Sequence, residues 1–152
     1  MNYKNIMLAL DGSEASHLAL GEVIKVTKNQ KANLRLIHVL DASLIYQGGP
    51  GFDYLTVINA CRQEGQAIFD QAKKIISKQS SLHIDQHLIE LLPFQGRIAE
   101  AIVEEAKEWP ADLLVLGTHG RRGFSRFFLG SVAENVVRIA TVPVLLVRGP
   151  AD

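Results

Sequence analysis

Residues 113–131 read LLVLGTHGRRGFSRFFLGS. The first four, 113–116, form an unbroken apolar run, which predicts a strand buried on both faces of a parallel sheet. Gly117 and Gly120 follow that run at once, and Gly130 directly precedes a segment of helical periodicity. Glycine lets the main chain approach an anion closely, and the amino terminus of a helix offers unpaired N–H groups and a partial positive charge. The stretch therefore predicts a strand, a phosphate-binding turn and a helix, in that order.

Short apolar runs alternate with segments of helical periodicity along the chain. The apolar runs predict strands at 6–10, 113–116 and 142–147, and strands are also predicted at 34–40 and 84–91. The periodic segments predict a helix capped by Ser13 that ends near Asn29, and further helices at about 53–78, 98–109 and 131–140. The glycine-rich segment 41–51 predicts a loop. This order of strand and helix is typical of a three-layer α/β domain with a mostly parallel sheet and right-handed crossovers.

The size and composition of the chain restrict its class. A chain of 152 residues fits one domain, which can bury roughly 70% of the surface that the unfolded chain exposes. The single cysteine, Cys61, excludes an internal disulfide and favours a reducing compartment. Sixteen basic and sixteen acidic residues cancel, which argues against nucleic acid or an anionic membrane as a partner. The amino terminus has no targeting or membrane-spanning pattern, so we expect a cytoplasmic protein.

The glycine pattern differs from two well-known nucleotide-binding motifs. The chain contains neither GxxxxGK followed by Ser or Thr, nor GxGxxG, so neither a P-loop nor a dinucleotide-binding turn is predicted. Because no lysine stands beside the turn, nothing indicates rapid phosphoryl transfer. The residues therefore favour nucleotide binding over nucleotide turnover.

Gly117, Gly120, Gly130 and Ser131 have the spacing Gly-x2-Gly-x9-Gly-Ser. This pattern resembles the signature of the ATP-binding universal stress proteins, and the resemblance covers essentially the whole chain. The first strand with its turn, the end of the second strand and the last strand also look like this family, at 9–13, 38–39 and 141–147. The resemblance implies a single domain over 1–152, with a Rossmann-like, adenine nucleotide alpha hydrolase-like fold. It also implies a five-stranded parallel sheet of order 3-2-1-4-5 and a homodimer.

The implied strand order places a topological switch point between strands one and four. Ligands of open α/β sheets bind outside the carboxyl ends of the strands at such a point. Asp11 follows strand one and Gly117 follows strand four. The resemblance and the local sequence therefore predict the same crevice.

The resemblance further implies which residues contact the ligand, taken as ATP or, in its place, AMP or ADP. The main chain of Ala9 and Val39 would surround the adenine, and Asp11 would lie near the ribose or a phosphate-bound metal. The other contacts would be Gly117, Gly120 and Arg121 along the ribose and phosphates, and Gly130, Ser131 and Val132 as donors to phosphate, with the Ser131 hydroxyl as the side-chain contact. Magnesium or manganese would be held mainly by phosphate oxygens, with Asp11 as the one nearby carboxylate.

Two of these residues have simpler interpretations that need no ligand. Ser131 and Glu134 have the spacing of a capping box, in which each side chain bonds the backbone N–H of the other residue. Asp11 could cap the first helix or stabilise the turn at Gly12. Their positions beside the glycine turn favour the ligand interpretation for both.

The loop between Gly120 and Gly130 also carries arginines and phenylalanines. We expect at most one of its arginines to contact phosphate, from among Arg121, Arg122 and Arg126. We expect its phenylalanines to pack the loop onto the domain instead of stacking on bases, namely Phe124, Phe127 and Phe128.

Three histidines are weaker candidates. His119 lies in the glycine loop and would contact nucleotide through its backbone alone. His83 and His87 share one face of the third strand, but a zinc site needs further ligands, so a metal pair is not favoured.

Three functions stay open. The first is a binding and signalling module, in which ATP or AMP orders the loop 117–131 and reports cellular energy or stress. The second is an enzyme, a slow metal-dependent ATP hydrolase in which Asp11 orients water, although no residue is an evident catalyst. The third is a partner-binding dimer whose crevice holds another adenosine-containing ligand or none. We expect the last strand, 142–147, to pair across a homodimer, because it would otherwise leave an exposed sheet edge.

Overall fold

The computed structural model of the protein describes residues 2–43, 45–78, 82–119 and 129–149. These residues form a five-stranded parallel sheet of order β3-β2-β1-β4-β5, with helices on both faces, which confirms the expected fold. The elements are β1 Asn5–Ala9, α1 Glu14–Val26, β2 Asn33–Asp41, α2 Tyr54–Ser77, β3 His83–Leu91, α3 Ile98–Glu108, β4 Leu113–Gly117, α4 Ser131–Ile139 and β5 Val144–Val147. Within these ranges, no helix is long and apolar enough to cross a membrane.

Side-chain caps fix where the first two helices begin. The Ser13 Oγ accepts a hydrogen bond from the Ser16 N–H at 3.2 Å, and the Asp53 Oδ1 accepts one from the Thr56 N–H at 3.2 Å. Each bond satisfies an N–H group that the first turn of a helix leaves without an intrahelical partner. Both helices therefore begin where the sequence predicts.

Most predicted boundaries differ from the observed ones by one residue, and α1 ends at Val26 instead of near Asn29. Two further differences concern the predicted loop and the last strand. A short 3-10 helix, Ile45–Gln47, lies inside the segment that was predicted as a loop. The last strand begins at Val144 instead of 142. Pro143 has no N–H to donate to a sheet, and only its carbonyl is used, accepting the Leu114 N–H at 3.0 Å. Neither difference changes the order of the elements.

Successive residues of the central strands alternate between two cores. Ile6 and Leu8 of β1 pack in the core beneath α1 and α2, whereas Met7 packs in the core beneath α3 and α4. All three side chains are fully buried. Burial on both faces explains why these strands are continuous apolar runs instead of alternating ones.

The position of β1 in the sheet sets the position of the predicted crevice. Leu8 of β1 lies opposite Leu36 of β2 on one side and opposite Val115 of β4 on the other. From β1 the chain passes through α1 to β2, and from β4 it passes through α4 to β5, so the two connections leave in opposite directions. The carboxyl ends of β1 and β4 therefore flank a switch point.

Candidate functional site

The turn that leaves β1 is built from Asp11, Gly12 and Ser13. The Asp11 Oδ1 accepts a hydrogen bond from the Ser13 N–H at 2.9 Å, which closes an Asx turn. Gly12 has a φ of 80°, a conformation that glycine adopts without steric cost. The N-cap residue of α1 is Ser13. Of the two simpler interpretations of Asp11, the structure thus supports turn stabilisation and excludes the helix cap.

The carboxyl end of β4 packs directly against the first turn of α1. A Cβ atom added to Gly117 would lie 2.7 Å from the Cβ of Ala15 and 2.9 Å from its carbonyl carbon. Carbon atoms do not approach so closely, so a side chain at this position would push α1 away from β4. Gly117 therefore has a packing role, and it brings the Asp11 turn close to the segment that follows β4.

Thr118 is buried, and its backbone links the end of β4 to β5 and to Gly130. Its N–H donates to the carbonyl of Val147 in β5 at 2.9 Å, and its own carbonyl accepts the Gly130 N–H at 2.7 Å. One residue further along, the His119 carbonyl lies 3.5 Å from the Ser13 Oγ of the first turn. These contacts hold the start and the end of the long loop beside β4 and close to α1.

The amino terminus of α4 differs from the capping box that the sequence allows. Gly130 is the N-cap residue, with a ψ of 156°, and Ser131 is already helical. The first intrahelical bond runs from the Glu134 N–H to the Gly130 carbonyl at 3.0 Å, while the Glu134 carboxylate pairs with Arg138 at 3.1 Å. The capping-box interpretation of Ser131 is therefore wrong, because the helix begins one residue too early for Ser131 to cap it.

Three N–H groups of α4 precede its first intrahelical bond, those of Ser131, Val132 and Ala133. The partial positive charge of the helix dipole lies at the same end. The Gly130 N–H, which we expected to donate to phosphate, instead donates to the Thr118 carbonyl. The helix end can thus accept an anion with donors that start at Ser131.

Three other predicted contacts share one apolar cluster. Ala9 of β1, Val39 of β2 and Val132 of α4 are half-buried and pack against the core beneath α3 and α4. In the sheet, Ala9 lies opposite Ile37, and Val39 lies opposite Ile89. Their side chains therefore lie on the α3 and α4 side of the sheet, whereas the Asp11 turn leads into α1 on the opposite side.

Two predicted contacts, Gly120 and Arg121, lie outside the described residues. The same holds for the other arginines and the phenylalanines of that loop, namely Arg122, Arg126, Phe124, Phe127 and Phe128. Their roles stay predictions.

A small pocket lies beside the Asp11 turn but between α1 and α2. Its volume is about 40 Å³, and Ser13, His17 and Gln71 are among its lining residues. Pockets that bind small molecules measure about 300 Å³ or more. This pocket is therefore too small for a nucleotide and is distinct from the crevice at the ends of β1 and β4.

Charged side chains of β2 and β3 form a network in the amino-terminal half of these strands, away from the crevice. Arg35 donates to both carboxylate oxygens of Asp85, at 2.9 and 3.0 Å, and to the Glu105 Oε1 at 2.9 Å. The bond to Asp85 raises the pKa of Arg35 above its ordinary value. His87 Nδ1 lies 2.6 Å from the same oxygen of Glu105. His87 thus helps to satisfy a buried carboxylate of α3.

The sequence matches a known family over nearly its whole length. A family model described as the universal stress protein family matches residues 2–148. The chain belongs to the universal stress protein family. A universal stress protein of Methanocaldococcus jannaschii is 34% identical over 148 residues, which cover 97% of this chain and 84% of the relative. One of Thermus aquaticus is 34% identical over 146 residues, which cover 96% of this chain and 99% of the relative.

Solved structures of universal stress proteins have the same fold. Universal stress protein UspA from Lactobacillus plantarum gives a TM-score of 0.82 at 25% identity, over 97% of this chain and 99% of that chain. A universal stress protein in complex with cAMP gives 0.68 at 25% identity, over 97% and 98%. One from Archaeoglobus fulgidus in complex with dAMP gives 0.64 at 25% identity, over 97% and 99%. Two of these universal stress proteins are therefore complexes with adenine nucleotides.

Sequence reasoning missed two residues that shape this site in the universal stress protein fold. Ala15 makes glycine necessary at position 117, and Thr118 ties the end of β4 to Gly130. A glycine directly after a buried strand was a usable signal for close packing, although it did not identify the partner. Thr118 gave no signal, because its two bonds use backbone atoms that every residue carries.

Proposed function

We propose that this universal stress protein binds an adenine nucleotide in the crevice between the carboxyl ends of β1 and β4, with ATP as the leading ligand and AMP or ADP as alternatives. The observation that carries the proposal is the 2.7 Å hydrogen bond from the Gly130 N–H to the Thr118 carbonyl. It holds the amino terminus of α4 beside the end of β4, so that the N–H groups of α4 begin at the crevice. The cAMP and dAMP complexes of related universal stress proteins support an adenine nucleotide as the ligand.

Each wall of the crevice would contact a different part of the nucleotide. The main chain at the ends of β1 and β2 would surround the adenine, and Asp11 would approach the ribose. The start of α4 would hold the phosphates through its backbone donors. The contacts proposed in full are Ala9, Val39 and Asp11 for the nucleoside, Gly117, Gly120 and Arg121 along the ribose and phosphates, and Gly130, Ser131 and Val132 at the phosphates, where Gly130 would allow close approach.

Magnesium or manganese would enter the site with the nucleotide. Among the residues that the structure describes, no group of three or more His, Cys, Asp or Glu side chains could hold a metal. Asp11 offers one carboxylate, and its Oδ1 already accepts the Ser13 N–H. Because magnesium prefers about six oxygen ligands, most would come from phosphate and water. We therefore expect no metal binding without nucleotide.

We propose that the nucleotide acts as a signal in a stress response and not as a substrate. The Asp11 carboxylate, which would have to orient water in a slow hydrolase, is held by the Asx turn. Asp11→Asn tests this alternative, because an Asn side chain also forms Asx turns but has no charge. In single-turnover assays, we expect Asp11→Asn to leave any ATP hydrolysis by the wild type unchanged. Hydrolysis lost in Asp11→Asn with intact nucleotide binding would favour the enzyme.

Isothermal titration calorimetry with ATP, ADP, AMP and GTP tests the binding proposal directly. We expect the adenine nucleotides to bind and GTP to bind more weakly. Mass spectrometry of the denatured protein would identify any nucleotide that copurifies. No binding of an adenine nucleotide at millimolar concentration would refute the proposal.

We further propose that the protein forms a homodimer through β5, within the segment 142–147. β5 is the last strand in the sheet order, and its residues are half-buried within one chain. An unpaired edge of this composition would favour association. We expect sedimentation at micromolar concentration to give a dimer, and Val144→Pro, which removes one N–H at the first residue of the strand, to weaken it. A wild-type monomer would contradict this proposal.

A further inference from the structure

Leu10, which connects β1 to the Asp11 turn, is held by two consecutive residues of β2. Its N–H donates to the Ile37 carbonyl at 2.8 Å. Its carbonyl lies 2.7 Å from the Nδ1 of His38. The first bond extends the pairing of β1 with β2 by backbone atoms, whereas the second depends on the identity of a side chain.

The second bond determines where the proton of His38 lies. A carbonyl oxygen only accepts hydrogen bonds, so Nδ1 must donate and must carry a proton. The geometry thus assigns His38 to a form that is protonated at Nδ1. This form is distinguishable by NMR from the form that is protonated at Nε2 alone.

Helix α2 holds the imidazole ring of His38 in place. A Cβ atom added to Gly65 would lie 3.1 Å from the Cδ2 of His38 and 3.0 Å from the Cδ1 of Leu88, so the ring occupies a notch that glycine leaves open. The ring also meets the fully buried Phe69 edge to face, with centroids 6.5 Å apart and an interplanar angle of 88°. Close packing of this kind leaves the ring little freedom to move away from Leu10.

We infer that His38 is a positioning residue for the candidate nucleotide site. Its Nδ1–H fixes the Leu10 carbonyl, and the Asx turn of Asp11 begins at the next residue. An apolar side chain of similar size would fill the notch but would leave the carbonyl without this donor. The inference rests on the proposed function only for its binding measurement, since the hydrogen bond and the tautomer require no ligand.

Three variants separate positioning from packing. His38→Leu keeps an apolar side chain in the notch and removes the donor. His38→Asn places the amide Nδ2 where Nδ1 of the imidazole lies, so it keeps a donor without the ring. Phe69→Leu loosens the packing around the ring and leaves the donor intact.

We expect His38→Leu to weaken ATP binding by up to about tenfold, the range of one net hydrogen bond. Hydrogen exchange of the Ser13 amide, which the Asx turn protects, should become faster in the same variant. We expect His38→Asn to recover most of the affinity, and Phe69→Leu to lower the Tm with no change in affinity. Long-range nitrogen–proton NMR spectra of the wild type should show His38 protonated at Nδ1.

If the wild type binds ATP, an equal affinity of His38→Leu would overturn the inference, and so would either of two other results. One is a His38 that carries its proton only at Nε2. The other is an equal loss of ATP affinity in His38→Leu and Phe69→Leu when both variants have the same loss of Tm. Packing alone would then explain the lower affinity. If the wild type binds no adenine nucleotide, the proposed function fails by itself, and the tautomer and the Ser13 exchange rate then decide the role of His38.

Discussion

Replacing Ser131 with proline should remove one phosphate donor and leave α4 intact. Ser131 is the first residue of the helix, and Gly130 before it has a ψ of 156°. Proline is well accepted at the first helical position, because the N–H there has no intrahelical partner. The extended conformation of Gly130 is also the one that a residue before proline prefers. The substitution therefore tests a single N–H group.

The expected loss follows from the kind of bond that is removed. A backbone N–H that donates to a charged phosphate oxygen contributes about 1.5–3 kcal/mol. A loss of about 2 kcal/mol corresponds to about thirtyfold weaker binding. Ser131→Ala is the matched control, because alanine keeps the N–H and removes only the hydroxyl of a residue that is exposed.

Calorimetric titration of ATP into the wild type and the two variants measures this difference, and circular dichroism with the Tm checks that α4 is retained. We expect the Kd of Ser131→Pro to be about thirtyfold above that of the wild type, with Ser131→Ala closer to the wild type. If the wild type binds ATP and the two variants have equal affinities, the Ser131 N–H is not a phosphate donor.

Two further predictions concern stability. Gly117→Ala should lower the free energy of unfolding by about 1–3 kcal/mol, because its Cβ would lie 2.7 Å from that of Ala15. Its control is Gly21→Ala in α1, where a Cβ meets nothing within 4 Å, and which should stabilise the protein by about 0.5–1 kcal/mol. Urea denaturation measures both, and equal effects would contradict the packing role. The hydrogen bond from Arg62 lowers the pKa of Glu90 below its usual value of 4.5, so the pair stabilises the fold above that pH and loses its contribution as the pH falls through the lowered pKa. Because the two side chains are partly exposed, Glu90→Gln should lower the urea midpoint only slightly at neutral pH and not in acid, and a difference that persists in acid would refute this.

The strands and helices were predictable where their signal is local. The structure has β4 within one residue of the predicted 113–116, because a strand buried on both faces is apolar along its whole length. The edge strand β3 also lies within one residue of the predicted 84–91, although it is only half-buried and carries polar residues. Helix α2, predicted at about 53–78 from its apolar periodicity, is observed at Tyr54–Ser77. Such features need only a few neighbouring residues to be decided.

The details that were not predictable depend on contacts between distant residues. Whether Gly130 or Ser131 caps α4 depends on where the chain returns to the sheet before this helix. The hydrogen bond from the Gly130 N–H to the Thr118 carbonyl places that return at the end of β4. Only a ligand contact was predicted for Gly117, along the ribose and phosphates, since the residue that makes glycine necessary there, Ala15, lies far earlier in the chain. The bond from His38 to Leu10 was not predictable either, because it joins β2 to the residue that follows β1, far away in the sequence.

Gly117 and Gly130, at the two ends of the glycine motif, therefore have different physical roles. Gly117 is necessary wherever α1 packs this closely on β4, with or without a ligand, so its presence is weak evidence for a nucleotide. The backbone at Gly130 has a φ of −61° and a ψ of 156°, which any residue can adopt, so strain does not explain that glycine. Glycine is a favoured N-cap residue, and in the proposed complex it would also allow close approach of a ligand to the start of α4. Substitution at Ser131 should therefore affect ATP affinity more than stability, and substitution at Gly117 should affect stability more than ATP affinity.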